Sequence, residues 1–447
     1  MKKELTAWMK RRKAQLIFTG ILFVLLAFWA LVMPFEAAPD EGMRFQIPEY
    51  IARYHRLPDG RDEALRNPQW GISYGFGPQL TYILQAIFMS VMAKFTQMGG
   101  SAMFAARMVS VLAGTGTIWM SILISEKLFE KKYRKLFVAL ISLLPQFLYL
   151  STYINNDALA LFGTAVIVYM WICGNESGWN IRSCIGLTAG IVICTLTYFN
   201  SYGFILCSII FLFGSLFMQK KPLKEIAGKS LFIAALVLLL TSWYFIRNYF
   251  LYDGDILGMK ISTEYAEMYA IDSLKPSMRQ TPANTGTSLA KMFFGESQWF
   301  AVSWKSFVGV FGHMAVYMRQ WQYYFYAFLF WIGAGGIFFR KKAGNRKRES
   351  CLFTGVMAAA GVIPFALSLY NSYYSDYQPQ GRYLMPMLIP MMYFVTKGLQ
   401  NVLEHFIKPE QTEQVIRIIT VMLVGIMIYV YIGIWFMTYK DGLNLFT

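Results

Sequence analysis

Pro39-Asp40-Glu41-Gly42 follows directly on the first long apolar segment of the chain, so two adjacent carboxylates sit behind a proline where a membrane helix would meet water. A lone acid at such a point is ordinarily just solvated. Two acids facing a long, partly apolar loop can do more: one accepts a proton from a hydroxyl nucleophile while the other holds a substrate or a cation. Neighbours in extended chain point to opposite sides, so Asp40 and Glu41 are expected to take different roles. Asp157, in Asn155-Asn156-Asp157-Ala158-Leu159, is either the cap of the helix that follows or a second acid brought up to the first. Arg382, in Gln380-Gly381-Arg382-Tyr383, follows a glycine and opens an apolar segment, so its guanidinium can enter a cavity and grip a phosphate through two hydrogen bonds. Arg247, at the end of another apolar segment, either does the same or snorkels to the interface, and Arg107 is a weaker candidate of that kind. His55, His313 and His405 are scattered and form no metal set, and the cysteines show neither a disulfide framework nor metal-ligand spacing.

These residues need a membrane scaffold to hold them. The 447 residues are 56% hydrophobic, 17% aromatic and 15% charged, too apolar for a soluble protein of this length. Repeated apolar runs of about 17 to 22 residues are each long enough to cross ~30 Å of hydrocarbon. The formal net charge is +16, but the basic residues cluster in short loops, which is the positive-inside pattern rather than a nucleic-acid footprint. The expected fold is all-α, a polytopic bundle of about 11 spans forming one transmembrane domain over 1–447. The spans are expected at 15–35, 105–125, 136–152, 158–173, 184–199, 201–218, 230–250, 321–339, 351–370, 383–395 and 415–437. The basic N-terminus is then cytoplasmic and the C-terminus outside. The apolar segment Pro78–Phe95 is read as a juxtamembrane helix. Were it to cross, Lys127, Lys131, Lys132, Arg134 and Lys135 would all lie outside, against the charge rule. The first outer loop accordingly covers 36–104. A second, 251–320, is rich in aromatics such as Trp299, Trp304 and Phe311 and is expected to pack on the membrane face.

Taken in order, Pro39-Asp40-Glu41, Gly77-Pro78-Gln79-Leu80-Thr81-Tyr82, Asn156-Asp157-Ala158-Leu159, the stretch from Arg247 to Asp255, Ser306–His313 and Gln380-Gly381-Arg382-Tyr383 resemble the GT-C superfamily of integral membrane glycosyltransferases. Within it, the chain looks most like an uncharacterised bacterial branch with Pro-Asp-Glu and Gln-Gly-Arg-Tyr motifs. Gly42 and Arg44 stand where that branch usually has histidines, which puts a metal site in doubt, and His313 stands where it usually has an aromatic ring. The resemblance implies a juxtamembrane helix in the first loop, a first-loop acid as base, an acid after the third span as a second site residue, and a late arginine as phosphate ligand. Carried onto this chain, Asp40 and Glu41 are the catalytic candidates, and Asp157, Arg247, Arg382, Tyr383, Arg44 and His313 the substrate-binding ones. The donor is expected to be a polyprenyl-phosphate sugar, and the acceptor an envelope glycan, teichoic-type polymer or glycolipid. Transfer is expected with inversion at the outer face of the plasma membrane, without nucleic acid. No cofactor is singled out, and a divalent cation is left open. A transporter or flippase of lipid-linked saccharides and a glycan polymerase share the same topology and remain as alternatives.

Overall fold

Long apolar runs satisfy their backbone hydrogen bonds within one segment only by winding into helices, and this chain does so throughout. The computed structural model describes residues 10, 12–96, 100–339 and 348–440. Helix α1 (Lys13–Val32) leads through a turn into α2 (Glu41–Tyr54), α3 (Leu80–Met92) and α4 (Gly100–Leu128). Then come α5 (Lys131–Ser142), the short α6 (Pro145–Leu150), α7 (Asp157–Ser177), α8 (Ile181–Thr197), α9 (Tyr202–Met218) and α10 (Leu223–Leu251). The long loop carries α11 (Met259–Tyr269), α12 (Leu289–Phe294), α13 (Trp299–Gly309) and the two-stranded hairpin β1 (Val310–Phe311) and β2 (Val316–Tyr317). Next come α14 (Gln320–Gly336), α15 (Arg348–Tyr374), a 3-10 turn over Gly381–Met387, α16 (Leu388–Phe406) and α17 (Pro409–Tyr429), which runs on through a π-helical segment over Val430–Phe436 into a last helical turn over Met437–Tyr439.

Seven of the described helical segments are long and apolar enough to cross a membrane, including α1, α4, α7 and α10. Four of the expected spans take other forms. The segment 136–152 is broken at Leu143-Leu144, where Pro145 starts α6. Helices α8 and α14 have 17 residues each. The segment 383–395 begins as the 3-10 turn and becomes α16 only at Leu388. At 13 residues, α3 reaches only about 20 Å, too short to cross. Helix α2 lies in a stretch that reads as polar loop, and Pro48 sits inside it. The basic segment at 340–347 lies outside the described residues.

Helix α4 packs against α1, α3, α5 and α7, and α14 crosses α16. That last crossing is close because Gly333 meets Gly398: a Cβ on Gly398 would lie 1.7 Å from the Gly333 carbonyl oxygen. Small residues allow such approach between membrane helices, where packing rather than water exclusion drives association. Within the long loop Trp299, Phe307 and Phe311 are buried in the protein, and Trp299 lies edge-on to Phe365 of α15.

Candidate active site

The turn between α1 and α2 sends its two acids in opposite directions. Asp40 occupies the N-cap position of α2 with φ +61°, a left-handed conformation that costs a non-glycine residue free energy, and its side chain makes no capping bond. It reaches across the chain to Arg382 instead, whose Nη2 donates to Asp40 Oδ2 at 2.7 Å. Glu41 turns inward. Arg107 of α4 donates Nε and Nη2 to its two carboxylate oxygens at 2.8 and 2.7 Å, and both side chains are fully buried. Arg107 also donates to the carbonyls of Ala30, Met33 and Pro34, which closes the C-terminal end of α1. Glu41 accepts in addition from the Ile154 backbone N–H at 3.1 Å, three residues before Asp157. Glu41 is therefore a buried tie between three segments and does not reach the cleft.

Arg382 is set by the glycine before it. Gly381 N–H donates to Ser306 Oγ at 2.9 Å, and a Cβ there would lie 2.0 Å from the Phe307 backbone nitrogen, so only glycine allows the 3-10 turn to lie against α13. Arg382 Nη2 also donates to the Tyr383 hydroxyl at 3.0 Å, and that hydroxyl donates to Gln378 Oε1 at 2.7 Å. Its Nε and Nη1 are buried without hydrogen-bond partners. Gly381→Ala is expected to cost about 1–3 kcal/mol of stability, the range for overpacking a tight contact. Detergent melting curves check this, and an unchanged melting temperature with unchanged donor affinity would remove the close-approach argument.

A cleft of about 340 Å³ opens over the ion pair, walled by Asp40, Ser73, Tyr74, His313, Gln380 and Tyr383 among others. Arg44, one turn into α2, stacks its guanidinium 4.3 Å from the centre of the Tyr74 ring. Burial works against ionisation of Asp40, but the charges of Arg382 and Arg44, with the hydrogen bond from Arg382, outweigh it and hold the carboxyl below its ordinary value. Burial pushes the Tyr74 phenol up, so it stays a neutral donor. For Arg44 and Arg382 burial opposes the charge too. The acids Asp157 and Asp40 favour the charge around the first, and Asp40 favours it around the second.

Asp157 does not cap α7. Asn155 Oδ1 takes the Ala158 N–H at 2.8 Å, and both Asp157 carboxylate oxygens are buried with no hydrogen-bond partner. Its charge is felt by Arg44, Arg382 and Asp40, so it belongs to the electrostatics of the cleft although it does not wall it. Asp40, Arg44, Asp157, Arg382, Tyr383 and His313 are thus brought together. Arg247 is not: its Nη2 donates to the Pro58 carbonyl at 2.6 Å, and it lines a separate groove. Asp40 is paired with Arg382, and among the described residues no three His, Cys, Asp or Glu side chains converge.

Reading the sequence missed three supports. Tyr149 of α6 donates its hydroxyl to the Ala37 carbonyl at 3.1 Å and accepts from the Gly312 N–H at 3.0 Å, joining the turn that bears Asp40 to the hairpin that bears His313. Gln146 accepts from Val310 N–H at 3.0 Å. Tyr74 lines the cleft and carries the Arg44 guanidinium on its ring. Gln146 carried a signal, a polar residue behind a proline inside an apolar run; Tyr149 sat unmarked among 28 tyrosines, and Tyr74 carried only the general signal of an aromatic-rich interface.

A model of a family described as predicted membrane protein (DUF2142) matches residues 71–392. Among solved structures, the fold is similar to the Archaeoglobus fulgidus oligosaccharyltransferase in its apo form (TM-score 0.55, 11% identity, 98% of this chain and 56% of that one). It is also similar to ArnT from Cupriavidus metallidurans bound to undecaprenyl phosphate (TM-score 0.52, 12% identity, 87% and 60%). A third is the oligosaccharyltransferase AglB from Archaeoglobus fulgidus with an inhibitory peptide and a dolichol-phosphate (TM-score 0.52, 11% identity, 94% and 55%). The chain thus spans between about half and three-fifths of the length of these proteins, whose common fold is GT-C. No curated protein is significantly similar in sequence.

Proposed function

We propose, from the premise that the chain belongs to the DUF2142 family of predicted membrane proteins and has the GT-C fold, that it is a glycosyltransferase using a polyprenyl-phosphate-linked sugar. The observation that carries the reading is the meeting of Asp40 and Arg382, 342 residues apart, in one cleft. A groove of about 890 Å³ supports it. Its walls are apolar, with Trp304, Phe330, Phe365, Pro390 and Phe394, and it includes Met387, the last residue of the 3-10 turn that begins at Gly381. A prenyl tail lies in that groove while its phosphate meets Arg382.

The proposed steps start from the contacts of Arg382 and Asp40. The donor phosphate takes guanidinium hydrogens now shared with Asp40, and the buried Nε and Nη1 are available to it. Asp40 loses its strongest partner and its proton affinity rises. It accepts the proton of an acceptor hydroxyl, whose oxygen attacks the anomeric carbon as the bond to the phosphate oxygen breaks. The lipid phosphate leaves with the electron pair, stabilised by Arg382 where charge develops. Arg44 keeps the cleft positive, and the single displacement inverts the anomeric centre. The reaction takes place at the outer face of the plasma membrane, where activated sugar arrives on lipid, with an envelope glycan, teichoic-type polymer or glycolipid as acceptor.

Purified protein in liposomes, given a labelled polyprenyl-phosphate sugar and a panel of envelope acceptors, should release lipid phosphate in step with labelled product. Movement of label across the bilayer without product would reject the enzyme in favour of a carrier. Arg382→Gln should weaken undecaprenyl-phosphate binding about 10- to 100-fold, as loss of a charge-assisted hydrogen bond of roughly 1.5–3 kcal/mol requires. Equal affinity in wild type and variant would place the phosphate elsewhere.

A further inference from the structure

We propose that the groove between the end of α2 and the end of α10 is a headgroup site for an anionic phospholipid. Its volume is about 720 Å³ and its walls include Tyr50, Arg56, Arg61, Arg247, Phe250 and Leu251. Each guanidinium is fixed along one edge. Arg56 Nε donates to the Tyr50 hydroxyl at 3.1 Å, and Arg247 Nη2 to the Pro58 carbonyl at 2.6 Å. Neither Arg56 nor Arg247 is in an ion pair among the described residues. Arg61 is paired with Asp59 at 2.9 Å. Asp62, the other acid of the groove, accepts from Ala64 N–H. Three guanidinium groups thus face two carboxylates, and the two arginines without acids are the ones held in place by neutral partners. This is a seat for one phosphate.

The apolar side says that the phosphate arrives on a lipid. Phe250 is 78% exposed and Ile246 and Tyr54 about half exposed beside the groove. Of the seven candidate spans, α10 is the least covered by protein, and its Leu231, Leu238 and Leu239 face outward. A soluble anion would leave this surface unmatched. A phospholipid in the leaflet on the cleft side places acyl chains along α10 and its phosphodiester between Arg56 and Arg247. The site is separate from the cleft, since α2 runs 14 residues, about 20 Å, between Asp40 and the groove. An occupant would tie the far end of α2 to the bilayer while its near end holds Asp40. None of this depends on the transfer reaction.

The test uses the full chain in neutral detergent with phosphatidylglycerol, phosphatidylcholine of the same acyl chains, or inorganic phosphate, read by melting temperature and by counting bound lipids in native mass spectra. Phosphatidylglycerol should bind and raise the melting temperature, while phosphatidylcholine and inorganic phosphate should not. Arg56→Gln should weaken that binding about fivefold, the loss expected for one basic side chain at an anionic surface. Arg53→Gln removes the same charge three residues earlier, in the last turn of α2 and outside the groove, and should leave binding intact. Arg56→Lys keeps the charge and should retain most of it. Equal binding of the two lipids, or equal loss in Arg53→Gln and Arg56→Gln, overturns the site. An effect reproduced by inorganic phosphate alone overturns the lipid as its occupant.

Discussion

Asp40→Asn should lower the rate of sugar transfer by about 10²- to 10⁴-fold, the contribution of a positioned general base, with the protein still folded and donor binding retained or tightened. The amide keeps the shape of the carboxylate but cannot accept the proton of the acceptor. It also stops competing for Arg382, the one partner that Asp40 holds at 2.7 Å. The effect should therefore fall on kcat, while the KM for the lipid donor is unchanged or lower. Steady-state kinetics in liposomes separate the two. An Asp40→Asn enzyme with normal kcat would end the assignment of the base, and one with normal kcat and a raised donor KM would make Asp40 a binding residue.

The same pair sets a pH dependence. Asp40 is held below the ordinary aspartate value, so in the free enzyme it is charged well into acid conditions. Because the folded value lies below the unfolded one, the carboxylate contributes stability above the ordinary carboxylate range, and that contribution is lost as pH falls through the folded value. Arg382→Gln removes the leading favourable partner, so the carboxyl titrates at higher pH. The acid limb of kcat/KM, which reports the free enzyme, should move upward in that variant. An acid limb that stays where it is in the wild type would show that another group controls it.

Residue type and order made much of the site legible before any coordinates. Asp40 and Arg382 could be picked out because each stands where an apolar run meets a polar one, next to a proline or a glycine, and Asp157 because it stands between two apolar runs where a helix could begin. What could not be read was direction. Adjacency implied that Asp40 and Glu41 diverge, but which one faces the cleft depends on the left-handed turn at Asp40 and on Arg107, 66 residues away from Glu41. Arg247 and Arg382 look alike as arginines at span ends. They differ in that Gly381 lets the turn lie on α13, whereas Arg247 faces Pro58 in the first loop. The spans with steady hydropathy were plain, and those bent around the site were not. The break at Leu143-Leu144 and the 3-10 entry to α16 are local departures from helical geometry that tertiary contacts sustain. Helix α2 was hidden because Gly42 and Pro48 argue against a helix locally, and packing on α3 overrides them.

Glu41→Gln should behave in the opposite way to its neighbour, costing about 3–5 kcal/mol of stability because it strands a buried arginine. Glu41 and Arg107 are both fully buried and joined by two charge-assisted hydrogen bonds. The glutamine can still accept from Arg107 or from Ile154 N–H, but it cannot balance the guanidinium charge in a setting with no water to replace it. Arg107→Met should cost at least as much, since it strands Glu41 and releases the carbonyls of Ala30, Met33 and Pro34 from their donor. The pair Glu41→Leu with Arg107→Met removes both charges and should recover part of the loss, since two apolar side chains can replace a buried ion pair with little net cost. Unfolding in detergent of wild type, Glu41→Leu, Arg107→Met and the pair, followed by tryptophan fluorescence, gives the four values of the cycle. If each single substitution is silent, the pair is not the tie that holds the turn. Transfer activity per folded molecule completes the contrast. Asp40→Asn loses the reaction and keeps the fold, and Glu41→Gln loses the fold first. Through Ile154 it also loosens the segment that ends at Asp157, so what activity remains should fall as well. Conversely, a stable Glu41→Gln protein without activity beside an active Asp40→Asn protein would exchange the roles of the two acids.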